Sequence, residues 1–120
     1  MTITDVKIRK LFHEDILKAL VSVTFDDALV IHDIKIIQGP KRLFVAMPSR
    51  KDEKGEYKGI AVYRDIAHPI GQEMRQKLET AVFSAYYDLL SKEMYQKFKN
   101  EFFSLYDDFL KKLSDSDNNH

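Results

Sequence analysis

Cysteine is absent from the 120 residues, and four glycines and three prolines are all that punctuate them. Without cysteine there is no disulfide, no thiolate nucleophile and no Cys-based zinc site. No run of about 18 apolar residues occurs, so no helical membrane span is expected. Neither charge is in excess: 19 Lys and Arg balance 19 Asp and Glu, which removes a globally basic surface as a reason to bind nucleic acid. The opening Met1-Thr2-Ile3-Thr4-Asp5 lacks the basic-then-apolar pattern of a secretory leader, so a cytoplasmic site of action is the expectation.

What is present belongs to a globular chain. A hydrophobic share of 44% with 32% charged residues suits a single domain near the size at which dimerisation helps to bury a core. The charges are unevenly placed. Between Lys35 and Arg64 lie Lys35, Lys41, Arg42, Arg50, Lys51, Lys54, Lys58 and Arg64, opposed there by Asp52, Glu53 and Glu56. A solvated loop explains such a run as well as a phosphate-binding surface does.

Two periodicities divide the chain. Leu17, Ala19, Val21, Val23 and Phe25 alternate with Lys18, Ser22 and Thr24, the period-two pattern of a half-buried strand. Thr2–Phe12 reads as a strand before it, with His13-Glu14-Asp15 as the turn. After Asp26-Asp27, the run Ala28–Ile37 places Val30, His32, Ile34 and Ile36 on one expected face. Leu43–Met47 is apolar on both faces, which suits a central or covered strand. Ser49–Gly59 reads as an exposed polar loop, and Ile60–Ile66 as a short edge strand. Four or five strands with no helix between them predict an antiparallel sheet.

From Gly71 the spacing changes to three and four. Met74, Leu78, Ala81, Val82, Ala85 and Leu89 predict a helix covering the sheet. Met94, Phe98, Phe102, Leu105, Phe109 and Leu113 continue the period. Ser91 is a plausible N-cap, so two helices are expected rather than one of about 60 Å. Two readings fit the aromatic density of the second stretch: core packing and an oligomer interface. The polar tail 114–120 is expected to be disordered.

No catalytic template is satisfied. His32 and Asp33 are adjacent on an expected strand and point to opposite faces, so a hydrogen-bonded histidine in a core or dimer seam is the stronger reading. His13, His32 and His68 lack zinc-ligand spacing, and His68 before Pro69 is expected to order the strand-to-helix corner. Gly39, Gly55, Gly59 and Gly71 are isolated turn glycines and build no phosphate loop. No enzyme, metal, cofactor or small-molecule substrate is expected. The basic pairs Lys41-Arg42 and Arg50-Lys51 flank one strand and fall at its opposite ends. Tyr57 and Tyr63, interleaved with the charges, can pack on the sheet edge or stack on bases.

Several strings resemble the SpoVG (septation protein) family: Ile3-Thr4-Asp5-Val6-Lys7-Ile8-Arg9, Val30–Ile37, Leu43–Lys51, Gly55-Glu56-Tyr57-Lys58 and Asp65-Ile66-Ala67-His68-Pro69-Ile70. The likeness covers about residues 1–90. It implies an α+β fold, with an N-terminal antiparallel sheet of four to five strands followed by C-terminal helices, working as a dimer. It also implies DNA binding, in some members RNA binding, with effects on gene expression, cell division or sporulation. On the family pattern the basic pair after Met-Pro-Ser, here Arg50-Lys51, contacts nucleic acid. The helix after His-Pro-Ile adds target preference through Gln72, Arg75, Gln76 and Lys77. Three departures stand out: Arg42 where the family has glycine, about six inserted residues around 59–64, and an aromatic-rich helix over 91–113.

The expected organisation is therefore a SpoVG-like domain over 1–90, an extra helix over 91–113 and a tail. The expected function is a nucleic-acid-binding regulator, homodimeric and not membrane-bound. Its contacts are expected from Arg50, Lys51, Lys54, Lys58, Arg64, Arg75 and Lys77. The alternative is a protein-interaction module of septum assembly that binds no nucleic acid.

Overall fold

The computed structural model describes residues 1–118, with the backbone alone at 56, 57 and 116–118. Six strands precede one helix: β1 (Ile3–Leu11), β2 (Leu17–Phe25), β3 (Leu29–Gln38), β4 (Leu43–Ala46), β5 (Ser49–Tyr57), β6 (Ile60–Asp65) and α1 (Gln72–Asn118). The first four form an antiparallel sheet in the order β1-β2-β3-β4, and β5 pairs with β6 as a separate two-stranded sheet. The chain is therefore α+β. It divides into two compact units, Met1–Tyr86 and the stretch from Tyr87 onward.

In the first unit the alternation in β2 is realised directly. Ala19, Val21 and Val23 have no exposed surface and Phe25 is 4% exposed. Directly opposed residues of an antiparallel pair share a face, so Val21 brings Ile8 and Ile34 to the same side, and Ala19 brings Ile36. From α1, Leu78, Val82 and Tyr86 are buried, one per turn of the helix. Met74 and Leu78 line a cavity of about 320 Å³ together with Phe25, Ile31 and Met47, where helix and sheet meet.

The shared face of Val30, His32, Ile34 and Ile36 does not form. Asp33 takes a left-handed backbone, φ 62°, and the β2–β3 register shifts between Val21 and Val23. This is a β-bulge: two residues of β3 oppose one of β2, and the alternation changes phase across it. Ile34 and Ile36 then join the core. His32 sits on the other face, where its Nδ1 lies 2.7 Å from the Ser22 hydroxyl, which also accepts from Arg9 Nε at 3.1 Å. His32 is thus hydrogen-bonded, but away from the core. Ser22 itself is 4% exposed.

β4 is an edge strand, not a central one, since it pairs with β3 alone. Val45 packs inward, while Phe44 on the opposite face is 42% exposed. Gly39 is fixed by close approach: an added Cβ would lie 2.9 Å from the Arg42 carbonyl oxygen and 3.2 Å from the Phe44 ring. At the other end of the sheet, Asp26 and Asp27, both at φ 52°, make the tight β2–β3 turn. Asp26 Oδ1 accepts the Thr2 backbone N–H at 2.8 Å, tying β1 to that turn.

One helix, not two, follows Gly71. Ser91 does not act as a cap, because no Gly or Pro stops propagation on either side. The Lys92–Asp88 ion pair, 3.1 Å and spaced i,i+4, spans the expected break. Of the expected tail, 114–118 continue the helix, and 119–120 lie outside the described residues.

Ile34→Ala should destabilise the first unit by about 2–5 kcal/mol, the range for emptying a fully buried aliphatic site. Ser22→Ala should cost about 1 kcal/mol through the lost hydrogen bonds. Denaturant midpoints at constant slope measure both.

Candidate nucleic-acid interface

The segment expected as a loop over Ser49–Gly59 is a strand. Its turn residues explain why it pairs: Lys58 at φ 53° and Gly59 at φ 77° supply two consecutive positive-φ positions, the requirement of a tight hairpin turn whose twist matches the strands. Ile60–Asp65 returns as β6. At the open end of the hairpin the Ile66 N–H donates to the Pro48 carbonyl oxygen at 2.7 Å. The 59–64 segment thus completes a β-hairpin.

The register sorts the basic residues. Arg50 stands opposite Arg64, and Lys51 opposite Tyr63. Neighbours along a strand project to opposite faces, so the Arg50 and Lys51 side chains leave the strand on opposite sides. Arg50 and Arg64 share one face, and Lys51 shares the other with Tyr63, which is 65% exposed. Two guanidinium groups face to face repel, and Asp52 offsets this. Its Oδ2 accepts from Arg64 Nε, and its Oδ1 accepts the Lys54 backbone N–H at 3.0 Å. The Arg64 hydrogen bond and then the Lys54 N–H, with a lesser contribution from the charges of Arg64 and Arg50, hold the Asp52 carboxyl below its ordinary value of 3.8 against the opposing effect of desolvation. Between Lys51 and Glu56 the register shifts, and the chain bulges around this carboxylate.

Arg50, Lys51, Lys54 and Arg64 line one shallow cavity of about 360 Å³ with Asp52 and Glu53. Four of the expected contact residues are therefore brought together, with two acids among them. Lys58 is exposed in the hairpin turn, and the Tyr57 side chain lies outside the described residues. The helix residues are not part of this group. Lys77 Nζ pairs with Glu73 Oε1 at 3.2 Å. With Gln76 it lines a second cavity, beside Met1, Thr2 and Ile3. Arg75 is half-buried and, two positions from Lys77, projects to a different side of α1. Exposed Gln72 opens α1. His68 Nδ1 donates to the Pro69 carbonyl oxygen at 3.0 Å, at the corner that leads into α1.

A further set of bases lies on the four-stranded sheet, beyond the contact residues the sequence pattern points to. Lys7 is opposite Ser22, and both Lys10 and Lys35 are opposite Leu20. Arg9 reaches Ser22. All four stand on the sheet face opposite the core. The Val6-Lys7-Ile8 alternation points to Lys7. The bulges at Arg9 and Asp33 hide the rest, because each resets the phase.

Among the described residues no three His, Asp or Glu side chains are grouped as metal ligands, and no helix is long and apolar enough to cross a membrane. The geometry is that of a small α+β domain with a charged β-hairpin beside a half-covered sheet. The SpoVG family model matches residues 1–88. A relative from Heliobacterium modesticaldum, named "Putative septation protein SpoVG", is 53% identical over 91 residues, 76% of this chain and 96% of its own length. Relatives of the same name from Caldicellulosiruptor saccharolyticus and Clostridioides difficile are each 54% identical, over 91 and 90 residues, covering 97% and 91% of their lengths. The chain belongs to the SpoVG family. In the first two of these relatives the matched stretch is nearly the whole protein, so most of the second unit lies beyond it.

Asp52 links hairpin order to pH. Its folded value is depressed, so its contribution is fully present above the unfolded carboxylate range and is lost as pH falls through the folded value. Cross-strand amide protection of Arg50, Lys51 and Arg64 should persist from pH 7 to 5 and decline on further acidification. In Asp52→Asn it should already be weaker at pH 7 and vary less with acid, as measured by hydrogen exchange.

Proposed function

We propose that this protein is a nucleic-acid-binding regulator of the SpoVG type. In this reading it acts as a cytoplasmic homodimer on gene expression linked to division or sporulation, without catalysis. The observation that carries it is the grouping of Arg50, Lys51, Lys54 and Arg64 around one shallow cavity on the β5–β6 hairpin. A phosphate backbone presents an extended row of anions, and cations on both faces and at the tip of a projecting ribbon suit contact along it. Asp52 holds Arg64 in place, which leaves Arg50, Lys51 and Lys54 to meet phosphates. Exposed Tyr63 beside Lys51 offers a ring for stacking on an unpaired base. Lys7, Arg9, Lys10 and Lys35 add a second basic surface that supports the same class of ligand.

Such binding is mostly electrostatic and weakly dependent on sequence. In the double variant Arg50→Ala/Lys51→Ala, the slope of log K against log salt should fall by about 2, roughly one per lost phosphate contact. Affinity at low salt should drop about tenfold or more. Lys41→Ala/Arg42→Ala, at the far end of β4, should stay within about twofold. Salt-titrated gel shifts with DNA and RNA pools measure this, and equal losses in both variants would remove the hairpin assignment.

The alternative, a protein-interaction module of septum assembly, is favoured by one observation, the apolar stripe exposed on the second unit.

A further inference from the structure

In the second unit, Tyr95, Phe98, Phe102, Tyr106, Phe109 and Leu113 recur at steps of three and four and so form one stripe on the helix. Each is 49–67% exposed. The rings are already arranged: Phe102 stacks on Tyr106 at 6.5 Å between centroids and meets Phe103 edge-on at 6.0 Å. At 150–250 Å² for an aromatic side chain, the stripe offers roughly 600 Å² per copy. Met94 and Leu110 beside it bring this near the ~800 Å² per partner of a stable interface.

The pattern specifies the occupant. Around Phe102 the apolar positions mirror one another: Phe98 and Tyr106 lie equally far on either side, as do Tyr95 and Phe109, and Met94 and Leu110. The charges change sign about the same point. Nearest to it, Lys97 and Lys99 precede and Asp107 and Asp108 follow, with Glu101 adjoining Phe102; further out Glu93 mirrors Lys111, and Lys92 mirrors Lys112 as the one like-charged pair. A surface whose apolar residues repeat and whose charges invert about one centre is complementary to itself turned end for end, the condition for a two-fold symmetric interface. We infer that two copies of this chain pair their Tyr87–Leu113 helices antiparallel, with the two-fold axis at Phe102. Phe102 then meets its own copy, Tyr95 meets Phe109, and Lys97 lies level with Asp107. A parallel pair would set Lys97 and Lys99 against themselves and the Asp107-Asp108 pair against itself. The matched SpoVG region ends at residue 88, so the residues of this surface lie outside it.

The absence of cysteine makes the geometry testable in the full chain. Under mild oxidation, Phe102→Cys should form a disulfide-linked dimer. Tyr95→Cys and Phe109→Cys should each crosslink poorly alone and efficiently when mixed. In the cysteine-free chain, the double variant Phe98→Glu/Phe102→Glu should weaken the self-association made through this helix at least tenfold by sedimentation, with helical content and the near-ultraviolet spectrum of the first unit retained. Failure of Phe102→Cys to crosslink would overturn the pairing. Tyr95→Cys and Phe109→Cys linking to themselves as readily as Phe102→Cys would overturn its antiparallel sense. Association with lipid vesicles in place of self-association would reassign the stripe to a membrane surface. None of these outcomes depends on nucleic-acid binding.

Discussion

Everything in the first unit depends on one buried contact layer, in which the β2–β3 face meets the opening turns of α1. Val21, Val23, Ile34, Ile36 and Val82 have no exposed surface. Each such side chain stabilises the fold by about 1.5–3 kcal/mol relative to exposure. A four-stranded sheet with one bare apolar face does not persist in water, and neither does a lone helix with an apolar stripe. The layer fixes which side of every strand faces inward, and so consigns Lys7, Arg9, Lys10 and Lys35 to the opposite face. β4, held by Val45 in the same layer, and the buried Met47 that follows it place Pro48 where the charged hairpin begins.

The hairpin is stabilised differently. It contributes little to that core, and its order comes from a two-residue turn, a closing backbone hydrogen bond and the Asp52 carboxylate between two arginines. Exposed ion pairs are weak, so Asp52 matters less as a source of stability than as a clamp on guanidinium position. In the proposed function this permits two arginines to be presented close together. The second unit repeats the theme of incompleteness on a larger scale: its stripe has rings in order, and the inferred antiparallel copy is what covers it.

Much of the first unit is legible in the sequence, for a physical reason. Val21-Ser22-Val23-Thr24-Phe25 and Leu78…Val82 face a core on one side and water on the other, so the period of their hydrophobicity records their structure. Tyr86 was missed because its neighbour Ala85 keeps the same period. The bulge at His32-Asp33 was not legible: nothing in hydrophobicity marks a phase change, and Asp33 in the left-handed region is one of the few signals residues of that type offer. Ser49–Tyr57 was hidden because both its faces are polar, which erases the alternation that identifies a strand. Its Lys58-Gly59 turn was the available cue. Ser91 misled in the other direction, since a cap-forming residue does not end a helix when its surroundings propagate it. The bases of the hairpin stand out in the local run of charge between Lys35 and Arg64, whereas Arg75 and Lys77 come from the family resemblance alone. The division of the hairpin bases between two faces, with Lys77 bound to Glu73, follows only from register and geometry.

In the proposed function nucleic acid is met by the β5–β6 hairpin of the SpoVG region, and in the further inference the second unit serves self-association. Mapping backbone amide shifts by NMR, while titrating a short single-stranded oligonucleotide into the full chain, tests this most directly. The account predicts that the largest changes fall on Arg50–Lys54 and Tyr63–Arg64, with the amides of Met94–Leu113 unmoved. Changes confined to Met94–Leu113, or none at saturating oligonucleotide, would contradict it.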